Sequence, residues 1–263
     1  MVELKDISIV YNSGTPDENV ALRNINLNIN RGEFVTIIGS NGAGKTTLFN
    51  IISGTCQSAT GEIYIDKKRV TFDPEYKRAR YIGRIFQNPL MGTAGNMSLE
   101  DNLMISYHKG FKWPVISLNS NMRKMFKKEL LQLDMNLEHR LKDNVGLFSG
   151  GQRQALTLLM MVFSKPDLVL LDEHTAALDP KNAQLVLDLT TQFVKKYNLT
   201  TLMITHNMVH AIRYGNRLLM IDKGEIIFDA AGNEKGKLTK EKLVNKFHEI
   251  RHQNFESDRM LLS

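Results

Sequence analysis

Apolar and polar residues alternate over Val2–Tyr11 (Leu4, Ile7, Ile9) and over Ala21–Ile29 (Leu22, Ile25, Leu27, Ile29), predicting two strands joined by a Gly/Pro/Asp-containing turn. Phe34–Ile38 is a compact apolar run ending at Gly39, and Thr46–Ser53 then carries Leu48, Ile51 and Ile52 at helical spacing. The order is strand, loop, helix. Gly54 is placed to cap that helix, and Gly61–Asp66 alternates again as a strand. Past Gln87 the texture is helical: Ser98 caps a helix opening Leu99-Glu100-Asp101; Met122, Met125, Phe126, Leu130 and Leu133 form a second apolar stripe. A third helix, Gln152–Ser164, stops before Pro166. Leu168–Leu171 and Thr200–Thr205 read as buried parallel strands around a helix from Pro180 to Tyr197, with Asp179 as its cap. Asp222-Lys223-Gly224 between apolar runs signals a hairpin within Arg217–Phe228. From Asn233 the tail is polar, and its stripe of Leu243, Val244, Phe247 and Ile250 is expected to pack locally. No internal repeat is visible.

Composition adds limits. At 263 residues and 42% hydrophobic, the chain can bury a substantial core. The longest apolar stretch, Ala155–Phe163, is broken only by Thr157 and falls far short of the roughly 18 residues of a membrane span. A soluble chain is expected. No basic-then-apolar leader follows Met1, and the single cysteine, Cys56, excludes an intrachain disulfide; together these favour the cytoplasm. The net charge is +6, with basic residues dense over Lys67–Arg84 and Arg123–Lys128. A solvated basic face and proximity to the anionic cytoplasmic leaflet both accommodate this. Without an aromatic-interleaved basic motif, no nucleic-acid partner is expected.

The loop itself, Gly39-Ser40-Asn41-Gly42-Ala43-Gly44-Lys45-Thr46, matches the phosphate-binding pattern and stands between a predicted strand and helix. Its glycines let backbone N–H groups approach a polyphosphate, and the helix N-terminus adds partial positive charge. Lys45 should reach the β- and γ-phosphates, Thr46 should offer its hydroxyl to Mg²⁺, and Thr47 should add an α-phosphate contact. ATP and Mg²⁺ are therefore the expected cofactors. Asp172-Glu173 closes a buried strand at its C-terminal edge, where open α/β sheets place ligands. Asp172 is placed to hold Mg²⁺ through water, and Glu173 to polarise an attacking water.

A second glycine-bearing anion site opens another helix at Phe148-Ser149-Gly150-Gly151-Gln152, just upstream of that acidic strand. With six motifs in order from Tyr11 to about Asp229, the chain resembles the ATP-binding subunit of an ABC transporter. The resemblance implies an α/β fold: a P-loop NTPase (RecA-like) core, an antiparallel β subdomain and an inserted helical subdomain. It divides the chain into a nucleotide-binding core (1–88 and 165–230), a helical subdomain (89–164) and a C-terminal extension (231–263). It makes Tyr11 the residue that stacks on adenine and Gln87 the one joining Mg²⁺ or water to a transmembrane partner. His206, at a strand end, becomes the γ-phosphate sensor. Ser149, Gly150, Gly151 and Gln152 serve the opposite subunit's nucleotide, so one chain does not complete its own site. Asp179 resembles the loop crossing the dimer and is equally a helix cap.

The implied partners are a second copy, a transmembrane permease at the cytoplasmic face of the membrane and, indirectly, an extracytoplasmic substrate-binding protein. A free-standing cassette leans towards import. The segments Asn88–Ala94 and Met97–Leu103 resemble cassettes of importers that work with lipoprotein-type binding proteins, including amino-acid systems. An exporter subunit, or a soluble assembly or regulatory ATPase, stands as the alternative. Phe148 replaces the usual leucine, and His174 stands where small residues or proline are common; His174 is expected at the surface or a dimer edge. Lys109–Asn121, with the only tryptophan, Trp113, is expected to pack locally or to shape a permease-facing groove.

Overall fold

The computed structural model describes residues 1–58, 60–107 and 118–249; Trp113 and Ile250 lie outside them. The fold is mixed α/β, and its residues separate into two units. The first contains Met1–Ile52, Cys56–Thr71 and the chain from Met203; the second contains Ser53–Thr55 and Phe72–Leu202.

In the first unit β1 (Val2–Tyr11) lies between β2 (Asn19–Ile29) and β4 (Thr60–Ile65), antiparallel to both, while β3 (Phe34–Gly39) leads to α1 (Lys45–Ser53). The short β5 (Lys68–Arg69) pairs antiparallel with the outer side of β4. Leu4 to Ile7 is a three-residue step, which a strict period of two would send to opposite faces. Both are nonetheless buried. The pairing slips between them, and Asp6 takes a positive φ of 52°. Its N–H donates to Asn26 Oδ1 at 3.0 Å, and its carboxylate accepts from Asn26 Nδ2 at 2.9 Å. This bulge restores Ile7 to the apolar face.

The second unit opens with α2 (Glu75–Arg78), then β6 (Ile82–Ile85), α3 (Leu99–Tyr107), α4 (Ser120–Leu130), α5 (Gly150–Phe163), β7 (Leu168–Asp172) and α6 (Pro180–Tyr197). β6 and β7 are parallel, with Ile82 opposite Leu168 and Ile85 opposite Leu171. Every residue of β7 is buried, as its unbroken apolar run requires. Rings of Tyr107, Phe126 and Phe163, from α3, α4 and α5, meet with centroids 5.9 to 6.3 Å apart. The stripe expected to run to Leu133 leaves α-helical geometry after Leu130, continuing as a 3₁₀ turn that Asp134 ends at φ 51°. Its apolar residues are still served, since Leu130 and Leu133 are both fully buried.

Strand β8 (Thr200–Ile204) starts in the second unit and ends in the first. There follow α7 (Met208–Arg213), β9 (Arg217–Asp222), β10 (Glu225–Ala231) and the short α8 (Gly232–Gly236). The β9–β10 hairpin turns on Lys223 and Gly224, at φ 46° and 81°, the left-handed pair of a type I′ turn. On its other side β9 pairs in parallel with β3, Gly39 facing Ile221. The tail departs from expectation. Leu243 and Phe247 do not pack locally but on the Ile38, Ala211, Leu218 and Met220 core, because a lone helical stripe cannot bury itself. Lys235 anchors the extension: its buried ammonium donates to Gly215 O at 3.0 Å, to Thr36 Oγ1 at 3.4 Å and to Tyr214 O. Burial pushes its pKa down to about 8.

Candidate functional site

The loop after β3 is shaped by backbone demands that only glycine meets. Gly42 and Gly44 adopt φ of 78° and 101°, and a Cβ at Gly44 would lie 2.4 Å from Ala21 O. At Gly39 a Cβ would strike Ile221 O at 2.1 Å, a consequence of the β3–β9 pairing. Lys45 is 5% exposed, and its ammonium donates to Gly39 O at 3.0 Å and Ser40 O at 2.8 Å. Thr46 and Thr47 fall in the first turn of α1.

The hairpin turn braces this loop from behind. Ser40 Oγ donates to Asp222 Oδ1 at 2.7 Å, Gly224 N donates to Ala43 O at 3.0 Å, and Arg23 N donates to Gly224 O at 2.9 Å. Asp222 is only 4% exposed. The sequence pattern marks Asp222 as part of a hairpin but not its contact with the loop, since nothing local announces that β9 runs beside β3. Asp222→Ala is expected to lower stability by about 1–3 kcal/mol, the scale of a buried charge-assisted hydrogen bond. It should also raise KM for ATP, and thermal melts with ATPase kinetics check both.

Tyr11 closes β1 with its ring 37% exposed, and its hydroxyl faces Cys56 Sγ at 3.9 Å. Burial pushes the phenol pKa up, a hydrogen bond with Thr47 opposes that, and Cys56 adds to the rise. His206 follows β8 and is exposed. With Ser40, Met208, Met220 and Phe247 it lines a cavity of about 150 Å³, so the start of the loop and His206 share one recess.

The second unit holds the other candidates. Asp172 ends β7 at 9% exposure, and its Oδ2 accepts from Arg84 Nη2 at 3.0 Å. The Arg84 guanidinium also lies 4.8 Å from the Phe86 ring centroid. Nothing local in the sequence marks Arg84, because β6 is only four residues long and its pairing with β7 is non-local. Gln87 is exposed in the bend after β6; Gln154 Nε2 donates to Phe86 O at 3.2 Å and fixes the chain just before it. Glu173 is half-buried at φ 48°. His174, expected at the surface or a dimer edge, is instead buried inside the chain at 1% exposure, with Nε2 3.1 Å from Thr190 Oγ1. Thr190 stands in the middle of α6, so this is a tertiary contact that the immediate neighbours of His174 do not reveal.

Ser149 caps α5 in a reciprocal box. Its Oγ accepts from Gln152 N at 3.3 Å, and its N–H donates to Gln152 Oε1 at 3.1 Å. Asp179 caps α6, with Oδ1 accepting from Asn182 N at 3.1 Å; that bond and the Asn182 side chain hold its carboxyl below the usual range. The two helix starts touch, for a Cβ on Gly151 would sit 2.7 Å from Asn182 Cγ. Two N-termini side by side concentrate partial positive charge.

A glycine-shaped phosphate loop on a strand–helix junction, with a capped second anion site, defines a nucleoside-triphosphate-binding α/β protein. A family profile described as ABC transporter matches residues 22–176. The chain is 41% identical over 250 residues to the tyrosine transport ATP-binding protein of Clostridioides difficile (strain R20291), covering 94% of this chain and 98% of that protein. It is 32% identical to the phosphonates import ATP-binding protein PhnC of Lactobacillus acidophilus (strain ATCC 700396 / NCK56 / N2 / NCFM), over 87% and 88% of the two chains. The solved dimeric post-hydrolysis state of the ATP-binding cassette MJ0796, bound to ADP and Pi, matches with a TM-score of 0.74 at 28% identity, covering 88% and 98%. The chain belongs to the ABC transporter family, as its ATP-binding, ATP-hydrolysing cassette. Cassettes of this family dimerise and pair with membrane permeases. Among the described residues no helix is long and apolar enough to cross a membrane.

Proposed function

We propose that this chain energises an importer of a small solute such as an amino acid, working as a dimer on the cytoplasmic face of a membrane permease supplied by an extracytoplasmic binding protein. The near full-length 41% identity to a tyrosine transport ATP-binding protein is the observation that carries this reading. We keep the division into a nucleotide-binding core (1–88, 165–230), a helical subdomain (89–164) and an extension (231–263).

In this reading the Gly39–Thr47 backbone and Lys45 hold the phosphates, and Tyr11 supports the adenine. The donors offered to Mg²⁺, the Thr46 hydroxyl, the Asp172 carboxylate and the Gln87 amide, are all oxygens, as that hard cation demands. The buried Arg84 contact fixes the Asp172 carboxylate, which fits such a role. Bound there, the cation would neutralise charge on the β- and γ-phosphates. Glu173 accepts a proton from the attacking water, and His206 donates a hydrogen bond to the γ-phosphate. Ser149, Gly150, Gly151 and Gln152 present an α5 N-terminus to the partner's nucleotide, and Asp179 links the two sites.

Uptake of labelled tyrosine and other amino acids by cells with and without the gene tests the substrate class. Loss of uptake of one amino acid, with recovery of a polytopic partner from membranes, is the expected outcome. Unchanged uptake with a purely cytosolic complex would contradict it and favour an assembly or regulatory ATPase.

A further inference from the structure

Glu173 occupies a left-handed backbone conformation, φ 48°, which a residue with a side chain adopts only when its surroundings impose it. The turn closes on Glu173 O, which accepts from Ala176 N at 2.9 Å. The next residue in sequence is tied to α6. His174 is 1% exposed, and its Nε2 lies 3.1 Å from Thr190 Oγ1, in the middle of α6. The Thr190 hydroxyl has one proton, and it donates that proton to Val186 O at 2.7 Å. Thr190 therefore accepts from His174, and the imidazole proton on that side resides on Nε2.

We propose that His174 is a positioning residue for Glu173: its Nε2–H bolts the strained strand-end turn to α6, and so holds the neighbouring carboxylate where it takes a proton from water. The proposal rests on the role given to Glu173 under Proposed function.

The prediction separates turnover from binding. The phosphate loop is untouched by this contact, so loosening the turn should lower kcat and spare KM for ATP. A misplacement on the ångström scale costs about tenfold to a hundredfold in rate. In the full-length chain, His174→Leu and Thr190→Val should both show that loss, with KM and fluorescent-nucleotide affinity unchanged. His174→Gln, which keeps a donor near the Nε2 position, and Thr190→Ser, which keeps the hydroxyl, should recover most of the rate. Thr190→Val is close in shape to the native residue and serves if His174→Leu does not fold. Adding Thr190→Val to Glu173→Gln should cost nothing further, because the group it positions is already gone.

Wild-type kcat in Thr190→Val would overturn the proposal, as would parallel changes in kcat and KM, a drop in Tm with kcat intact, or no recovery in Thr190→Ser. Failure of the underlying reading looks different: Glu173→Gln itself would then retain turnover.

Discussion

Glu173→Gln is expected to reduce ATP turnover by about two to four orders of magnitude, the range that a positioned general base supplies. Gln matches Glu in shape, so the turn at φ 48° and the buried His174 beneath it should persist. ATP affinity should therefore stay near that of the wild type, and the ATP-bound state should accumulate as a closed dimer. Single-turnover kinetics with size-exclusion chromatography in ATP checks both halves. Wild-type turnover would remove Glu173 from its role, and lost ATP binding would show that it acts through the fold instead.

Lys45→Ala is expected to weaken ATP binding about tenfold to a hundredfold, the loss of one or two charge-assisted hydrogen bonds to phosphate. Two facts make the fall specific. The ammonium is buried and held by the loop's own carbonyls at Gly39 and Ser40, so its position is set by the loop. The glycine geometry at Gly42 and Gly44 and the Asp222 brace do not depend on it. Calorimetric titration with ATP should show the weaker affinity with little change in Tm. Unchanged affinity would sink the assignment of this loop.

The candidate site divides into what chain-local chemistry shows and what tertiary pairing hides. The phosphate loop, the Ser149–Gln152 cap, the Asp179–Pro180 helix start and the hairpin at Asp222-Lys223-Gly224 were readable because each is a short-range geometric requirement written in Gly, Pro, Ser and Asp. A short unbroken apolar run likewise marks β7, which is buried throughout. Strand β6 was not readable: Ile82-Gly83-Arg84-Ile85 is too short for periodicity, and Arg84 looks polar until Asp172 stands opposite. The role of Asp222 needs the β3–β9 register, and His174 needs Thr190 of α6; neither is encoded nearby. The tail stripe was visible, but its partners across β3 and β9 were not. The bulge at Asp6 shows the same limit on a smaller scale, for an odd spacing announces a break without saying how it is repaired.

In the proposed dimer each ATP site is completed by a second copy. Mixing two inactive chains tests it most directly. Gly150→Asp places an acid at the first position of α5, which suits the helix start yet repels a partner's phosphate. A Cβ there meets the flexible Leu178 Cδ2 at 3.3 Å and touches Pro89 Cγ at an ordinary 3.9 Å, so the fold should tolerate it. Lys45→Ala spoils the other half. In a mixed dimer of the two variants one site pairs both defects, and the other pairs an intact phosphate loop with an intact Ser149–Gly151 segment. We predict that the mixture hydrolyses ATP when neither variant does so alone. A mixture as inactive as its components, or full turnover by Gly150→Asp alone, would contradict a shared site.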